Sequence, residues 1–334
     1  MKLCKTEEAV GQILCHDITQ IIPGVVKDAV FRKGHIIREE DIPVLLSVGK
    51  EHIYIWENDE KMLHENDAAD ILCSICKGNG MHETEVKEGK IELIADCDGV
   101  LKIEREMLRN VNGLGEMMIA SRYGDFPVKK GDKIAGTRII PLVIEKEKME
   151  RAKEVAGEKP IFQILPYQQK KIGLVTTGSE VYKGRIQDAF TPVIREKLAE
   201  YGMEIQMQKL SGDDHKQITE IIQSMVDAGM DMIICTGGMS VDPDDRTPLA
   251  IKNTGAEIVT YGAPVLPGAM FMLGYVKGEI PIVGLPGCVM YAKRTIFDLV
   301  LPRLLAGEKI EKEELDRLGE GGLCLNCQIC TFPN

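Results

Sequence analysis

Three segments decide the fold of the C-terminal half of this sequence: residues 170–180 (KKIGLVTTGSE), 230–240 (MDMIICTGGMS) and 280–287 (IPIVGLPG). Each starts with a short apolar run, which is typical of a strand buried on both faces. Each then ends in a loop rich in Gly, Ser, Thr or Pro. Helical patterns with glycine stops lie between these runs. Strands that alternate with helices predict a doubly wound, mostly parallel α/β sheet with helices on both faces.

The segments between and beyond these strands complete the predicted domain. We expect helices over residues 185–202, 211–229, 245–255 and 288–307, and further strands over 203–210 and 256–262. This places an α/β domain at residues 160–307, followed by an acidic, cysteine-rich tail at 308–334.

The N-terminal half lacks this alternation and predicts two smaller regions, a mixed α/β region at 1–60 and a β-rich domain at 61–159. A helical pattern runs through residues 65–80 and ends in glycines. Residues 90–103 (KIELIADCDGVLKI) predict two strands that form a hairpin at Asp98-Gly99. The charged segment 145–159 predicts a solvated helix or a linker.

Length and composition limit the class of protein. At about 150 residues per domain, 334 residues suggest two domains, with three small ones as an alternative. The content of 44% hydrophobic residues excludes a largely disordered chain. A net charge of −11 argues against nucleic acid or anionic membrane as a partner, although loops can still hold a small anion. The sequence has no apolar signal core or spanning segment, so we expect a cytoplasmic protein.

The loops that follow the three deciding strands hold the candidate ligand-binding residues. Ligands of open α/β sheets bind beyond the carboxyl ends of the strands. Glycines let backbone N–H groups approach a phosphate, hydroxyls donate to it, and carboxylates can hold Mg²⁺ that bridges to it. Turn and capping chemistry explains any one loop equally well. Three such loops at strand ends favour a ligand site.

The order of these loops resembles the molybdopterin-binding domain of molybdenum-cofactor biosynthesis proteins, in particular the molybdopterin molybdotransferase branch. The resemblance covers about residues 170–306, and residues 11–56 look more faintly like the N-terminal region of that branch. The matching motifs are TTGSEV (176–181), GRIQDAF (184–190), GDD (212–214), ICTGGMSVDPDDRTPLA (234–250), PVLPGAMFMLG (264–274) and GLPGC (284–288).

The resemblance implies a homodimer that binds adenylylated molybdopterin and uses Mg²⁺ and molybdate, with metal insertion coupled to AMP release. Glu180, Asp214 (or its neighbour Asp213) and Asp245 are the implied catalytic residues. Glu180 and Asp245 would also contact the cation or molybdate. The implied residues of the pterin-phosphate pocket are Thr177, Gly178, Ser179, Gly237, Gly238, Ser240, Pro286 and Gly287.

The sequence departs from the family pattern at several of these loops. Leu266 and Ala269 stand where the family has the two lysines of Lys-Pro-Gly-Lys. Asp242 replaces a glycine, and the acidic N-terminal motif of the branch is absent. An apolar residue cannot neutralise an anion, whereas a hydrogen bond between a charged side chain and an anion contributes about 1.5–3 kcal/mol. Lys183, Arg185 or Arg246 could supply the missing charge.

Two other functions therefore stand beside the transferase. The first is a non-catalytic carrier or sensor that binds molybdopterin or the mature cofactor and delivers it to a client molybdoenzyme. The second is a pyrophosphatase of the related competence-damage type, which the N-terminal resemblance disfavours.

Five of the ten cysteines are grouped and suggest a metal site. Two lie in Cys73-x2-Cys76 and three in the tail, Cys324-x2-Cys327-x2-Cys330. Grouped cysteines in a cytosolic protein indicate Zn²⁺ or an iron–sulfur cluster before a disulfide. The alternative is that Cys73 and Cys76 are a buried pair on one helix face, because free cysteine behaves as a small apolar residue.

Overall fold

The computed structural model describes residues 2–22, 26–55 and 60–333. These residues divide into two compact units. The first runs to Gly124 and includes Val128–Ile164, and the second comprises Asp125–Pro127 and the chain from Leu165 onward.

The first unit contains the following elements. The strands are β1 (Lys2–Lys5), β2 (Ile18–Ile22), β3 (Val26–Phe31), β4 (His52–Ile55), β5 (Met62–His64), β6 (Met81–Glu83), β7 (Lys90–Ala95), β8 (Gly99–Ile103), β9 (Met117–Ser121), β10 (Phe126–Val128), β11 (Lys133–Ile139), β12 (Val143–Glu145) and β13 (Phe162–Pro166), of which β10 and β13 extend across the unit boundaries. The helices are α1 (Ile42–Ser47), α2 (Glu65–Cys76), α3 (Arg105–Asn112) and α4 (Lys146–Ala156), with 3-10 turns at Thr6–Glu8 and Glu39–Asp41.

The centre of the first unit is an antiparallel sheet in the order β6-β7-β11-β9. Helix α2 fits the predicted helical pattern, and its Ala69, Leu72 and Cys76 are buried against this sheet and its neighbours. Helix α4 is the predicted charged helix, but it is not a linker. Its Met149 and Ala152 are fully buried in the same core.

The predicted hairpin at Asp98-Gly99 is wrong. Strands β7 and β8 both form, but β8 lies in a different sheet because both edges of β7 are taken by β6 and β11. The Asp98 carboxylate accepts a hydrogen bond of 2.8 Å from the backbone N–H of Lys130. The acidic turn therefore caps a distant loop.

The second unit contains the predicted α/β domain. Its strands are β14 (Ile172–Thr177), β15 (Ile205–Ser211), β16 (Met232–Thr236), β17 (Glu257–Tyr261), β18 (Met272–Val276) and β19 (Ile280–Leu285). Its helices are α5 (Ser179–Tyr182), α6 (Phe190–Ala199), α7 (His215–Asp227), α8 (Thr247–Asn253), α9 (Ile296–Leu305) and α10 (Lys312–Asp316), with 3-10 turns at Gly287–Met290 and Arg317–Gly319.

The six strands pair in the order β15-β14-β16-β19-β18-β17. The first four strands are parallel to one another. At one edge, β18 is antiparallel to β19 and β17 is antiparallel to β18. Alternate strand residues face two separate cores. Leu174 and Ile234 pack with α6 and α9, whereas Val175 and Ile233 pack with α7 and α8. These layers confirm the doubly wound, mostly parallel α/β sheet with helices on both faces.

Two predicted helices begin later than expected. Helix α6 starts at Phe190 because the Asp188 carboxylate accepts hydrogen bonds from the N–H groups of Phe190 and Thr191, at 2.9 and 3.1 Å. The predicted helix 288–307 splits into a 3-10 turn and α9. Thr295 and Asp298 form a capping box that starts α9 anew.

The tail is not wholly separate from the α/β domain. Ile310 and Leu315 are buried in its core. The backbone N–H of Cys324 donates to the carbonyl of Leu266 at 2.8 Å, and the N–H of Leu266 donates to Gly322. The acidic first part of the tail thus completes one side of the domain.

Candidate functional site

The carboxyl ends of four parallel strands bring the predicted loops to one edge of the sheet. Thr176 of β14 is opposite Thr236 of β16, and Thr236 is in turn opposite Leu285 of β19. On the other side Thr177 is opposite Ser211 of β15. The loops that follow these strands are therefore neighbours, as the sequence predicted.

Thr177 connects the end of β14 to the end of β16 and the start of α8. Its buried hydroxyl donates to the carbonyl of Thr236 at 3.1 Å and lies 3.0 Å from the hydroxyl of Thr247. Thr247 starts α8, and its N–H donates to the carbonyl of Gly238. The structure thus places Thr177 beneath the loop, where its side-chain bonds are made within the protein.

Gly237 and Gly238 form the turn that leaves β16. Both have positive φ angles, 84° and 55°. A Cβ on Gly237 would lie 2.3 Å from the carbonyl oxygen of Thr177, and one on Gly238 would lie 2.9 Å from the hydroxyl of Thr247. The turn requires glycine at both positions, which leaves backbone free for close approach of a ligand.

We expect Gly237→Ala to destabilise the domain by about 2 kcal/mol or more, because the new methyl group meets backbone and the φ angle is unfavourable. Gly229→Ala is the matched control, since Gly229 has a φ of 77° but open space around a Cβ. Urea unfolding of both variants measures the difference. Equal losses in the two variants would show that the close approach at Thr177 is unimportant.

Ser179 and Asp213 connect the loop after β14 to the loop after β15, which also contains Asp214. The N–H of Ser179 donates to the Asp213 carboxylate at 3.1 Å, which ties the first loop to the loop after β15. Asp214 is the N-cap of α7 and accepts from the N–H of Lys216 at 2.9 Å. Gly178 has a φ of 131°, and Glu180 is exposed on the short α5 that follows.

Asp245 lies at the end of the loop that follows β16. One of its carboxylate oxygens accepts from the N–H of Ser240 at 2.9 Å, and its own N–H donates to the carbonyl of Asp242. Its second oxygen has no hydrogen bond within the described residues. The geometry leaves that oxygen available to a cation or a water.

Pro286 and Gly287 begin the loop that follows β19. Pro286 is buried and precedes the 3-10 turn, whereas Gly287 is exposed. The carbonyl of Pro286 accepts from the N–H of Val289 at 3.1 Å. They therefore form a rigid wall after β19.

Three polar residues at this edge were not among the predicted site residues. The Asp188 carboxylate accepts from the hydroxyls of Thr191 and Thr176, at 2.5 and 3.3 Å. The hydroxyl of Tyr261 on β17 donates to the carbonyl of Met239 at 3.0 Å and supports the loop that follows β16. The Thr236 hydroxyl is fully buried and has no partner among the described residues.

The segment with the missing lysines is apolar. The Leu266 side chain is 55% exposed, and its backbone is paired to the tail. Gly268 approaches α9 so closely that a Cβ would lie 2.6 Å from the Ile296 side chain. The three candidate replacement cations Lys183, Arg185 and Arg246 are exposed. The Arg246 Nε–H donates to the carbonyl of Pro243 at 2.7 Å.

The grouped cysteines lie in different surroundings, since Cys73 and Cys76 are buried and Cys327 is exposed. No group of three or more His, Cys, Asp or Glu side chains is placed to hold a metal ion in residues 2–22, 26–55 and 60–333. Cys73 and Cys76 lie on the inner face of α2 and are buried in the core of the first unit. Their spacing of three residues reflects helix packing, which was the alternative interpretation.

We expect Cys327 to react with a thiol reagent at least 100-fold faster than Cys73 in the native protein. Cys327 is exposed, whereas burial raises the pKa of Cys73 to about 11 and lowers its thiolate fraction. Labelling at pH 7.5 followed by peptide mass spectrometry measures both rates. Cys327→Ser serves as the control, and rapid native labelling of Cys73 would contradict this placement.

No helix within the described part of the chain combines the length and apolar character that a membrane span requires.

Parts of this chain are similar to known proteins and families. Residues 173–306 match the family described as "Probable molybdopterin binding domain", and residues 3–57 match a "Domain of unknown function (DUF8806)". A molybdopterin molybdenumtransferase of Staphylococcus epidermidis is 24% identical over 289 residues, covering 84% of this chain and 65% of the relative. A CinA-like protein of Mycobacterium avium is 36% identical over 90 residues, covering 27% of this chain. That match spans only 21% of the CinA-like protein.

Two solved structures are also similar. The molybdopterin biosynthesis enzyme MoaB of Thermus thermophilus is 25% identical, with a TM-score of 0.35, and covers 42% of this chain and 98% of its own. A molybdenum cofactor biosynthesis protein of Pyrococcus furiosus is 12% identical, with a TM-score of 0.28, over 92% of this chain and 66% of its own. The matched residues 173–306 include the strand-end loops described above, so this part of the chain is similar to the molybdopterin-binding domain family.

Proposed function

We propose that this protein binds adenylylated molybdopterin at the strand-end loops of the second unit and inserts molybdate with release of AMP. The observation that carries the proposal is the convergence of Gly-rich turns and the acids Glu180 and Asp245 at one edge of a molybdopterin-binding domain. The relative named as a molybdopterin molybdenumtransferase, which matches 84% of this chain, supports it.

The phosphate groups of the substrate would lie against the turns at Gly178, Gly237 and Gly238. The N–H of Gly178 donates to the carbonyl of Ser211 at 3.2 Å, so the turn at Gly237 and Gly238 would supply the backbone N–H groups. The hydroxyls of Ser179 and Ser240 can also donate to phosphate oxygens. Pro286 and Gly287 would bound the pocket on the side of β19, and Thr177 would hold two of the loops together from below.

Glu180 and Asp245 would hold a Mg²⁺ ion beside the substrate phosphate. Mg²⁺ in phosphate sites takes one or two carboxylates and completes its shell with phosphate oxygens and waters. The Glu180 side chain and one oxygen of Asp245 have no hydrogen bond or ion pair in the described part of the chain. When bound, Mg²⁺ would neutralise charge that develops on the phosphate.

The acids around the loops make added positive charge necessary. Asp213, Asp242 and Asp245 lie in the loops themselves, and Leu266 and Ala269 contribute no cation. We propose that Arg246, with Lys183 or Arg185, supplies the charge that the family places on its lysines. Asp214 would act through the helix that it caps, as a positioning residue at the start of α7.

We expect the active form to be a cytoplasmic homodimer that passes its product to a client molybdoenzyme. The match covers 65% of the transferase relative and 21% of the CinA-like relative, so these whole-protein properties rest on the proposal.

A carrier or sensor of the same pterin is the second candidate, and the apolar segment Leu266–Met270 favours it. The tail pairs with Leu266, where an anion would need a cation. Such a protein would bind the pterin without releasing AMP.

Gel filtration of the protein with adenylylated molybdopterin and Mg²⁺ tests binding, which both candidates require. We expect pterin fluorescence to elute with the protein. Arg246→Gln should weaken retention, while Arg195→Gln should not, because Arg195 is an exposed residue of α6 whose guanidinium donates to the side chain of Gln208. Failure of the wild-type protein to retain pterin would overturn both candidates. Turnover of a nucleotide instead would favour a pyrophosphatase of the competence-damage type.

A further inference from the structure

A second cavity lies in the first unit and has no assigned role. It consists of two adjoining lobes with volumes of about 440 and 520 Å³. Asp17, Arg32, Thr84, Glu85, Lys87 and Glu88 line both lobes. Cavities of this size commonly hold small organic molecules.

Three cations of the first lobe are free to take a ligand, although its carboxylates (Asp17, Asp28, Glu85, Glu88 and Glu92) outnumber its four cations. Arg32, Lys87 and Arg138 line it, and their side chains have no hydrogen bond or ion pair within the residues that the structure describes. Lys90 lines the same lobe but is engaged, because it forms an ion pair with Glu92. Two free guanidinium groups and an ammonium in one lobe suit a phosphate, which arginine binds through two parallel hydrogen bonds.

A tight turn forms part of the cavity wall. The backbones of Lys87 and Lys90 bond to each other in both directions at 3.0 Å, with Glu88 and Gly89 at positive φ angles of 51° and 68° between them. The N–H of Gly89 donates to the side chain of Asn66 at 2.9 Å, which ties the turn to α2. Lys87 is therefore held at a fixed place in the cavity wall.

The second lobe offers hydrogen-bond acceptors. Glu65 lines it and is half-buried, and neither Glu65 nor Glu85 has a side-chain partner in the described ranges. Burial raises the pKa of Glu65, and the attraction of Arg138 only partly opposes this. Unpaired carboxylates beside such a lobe fit N–H donors of a ligand.

We propose that this cavity binds a small phosphate ester with amino or ring N–H donors at its other end, such as a nucleoside monophosphate. The phosphate lies in the first lobe against Arg32, Arg138 and Lys87. The donor groups lie in the second lobe against Glu65 and Glu85. This site is separate from the strand-end loops and does not depend on the proposed transferase activity.

Calorimetric titration of the full chain with AMP tests the assignment. Ribose 5-phosphate keeps the phosphate but lacks the base, and adenosine keeps the base but lacks the phosphate. We expect AMP to bind more tightly than either fragment. Arg32→Gln and Arg138→Gln should each weaken AMP binding about tenfold, and Arg109→Gln, on an exposed arginine outside the cavity, should not. Glu65→Gln should weaken AMP but not ribose 5-phosphate.

Several results would overturn the proposal. These are no AMP binding at millimolar concentration, unchanged binding in the Arg32→Gln/Arg138→Gln double variant, or equal binding of AMP and ribose 5-phosphate. AMP could also bind at the strand-end loops of the second unit. Loss of AMP binding in Asp245→Asn, with the arginine variants unaffected, would place the nucleotide there and equally overturn the assignment to this cavity.

Discussion

Asp245→Asn is expected to lower the rate of AMP release from adenylylated molybdopterin about 100-fold or more. That factor corresponds to about 3 kcal/mol of barrier, in the range of a lost metal contact. Asparagine can still accept the hydrogen bond from the N–H of Ser240, so the loop should keep its conformation. The substitution removes the negative charge that would hold Mg²⁺. A coupled assay for AMP with saturating Mg²⁺ and molybdate measures the effect.

The matched control is Asp227→Asn. Asp227 is an exposed aspartate at the C-terminal end of α7, and its weak ion pair with Lys277 is 3.8 Å long. It precedes β16, so it lies at the opposite edge of the sheet from the loops. We expect AMP release by this variant to equal that of the wild type. A wild-type rate in Asp245→Asn would remove Asp245 from the mechanism.

Asp298→Ala is expected to destabilise the second unit by about 3–5 kcal/mol. Asp298 lies 2.6 Å from the ammonium of Lys197, and both side chains are more than 90% buried. The aspartate also accepts from the N–H of Thr295 at 2.7 Å and so caps α9. Its removal leaves a buried lysine without its carboxylate and removes a helix cap, and either loss is costly. Urea unfolding measures the change.

Glu200→Ala provides the comparison for Asp298→Ala. Glu200 pairs with Arg294 at 3.0 Å, but the glutamate is 44% exposed. Exposed ion pairs contribute under about 1 kcal/mol, so this variant should unfold near the wild-type urea concentration. If Asp298→Ala lost no more stability than Glu200→Ala, the buried pair would not hold α6 and α9 together.

The sequence predicted the α/β fold well because the signals for buried parallel strands are local. The runs at 172–177 and 232–236 are buried throughout, are apolar up to their closing threonines, and lead into glycine turns. The antiparallel edge was less visible. Met272–Val276 is equally apolar, and an apolar run carries no mark of strand direction. Pairing of β18 with β19 is set by the tight turn at residues 277–279.

The first unit was harder to predict because its strand pairing is not local. Asp98-Gly99 has the composition of a hairpin turn, yet β7 pairs with β11, about 40 residues later. Turn chemistry alone cannot show which sheet a following strand joins. The cysteine spacing at 73 and 76 was ambiguous for a similar reason, since metal binding and one buried helix face give the same pattern.

For the candidate site, the loops were predictable but their supports were not. Gly237 and Gly238 are visible in the sequence as a turn. Tyr261, which holds the carbonyl of Met239, comes 22 residues later on an edge strand. Asp188 could have been found by its position just before an amphipathic helix, since aspartate commonly caps the first turn.

AMP release from adenylylated molybdopterin by the wild-type protein with Mg²⁺, measured with and without molybdate, tests the proposed transferase activity. We expect release that depends on molybdate, which would show that other cations replace the lysines absent at Leu266 and Ala269. Retention of the pterin with no AMP release under either condition would contradict the transferase and favour the carrier.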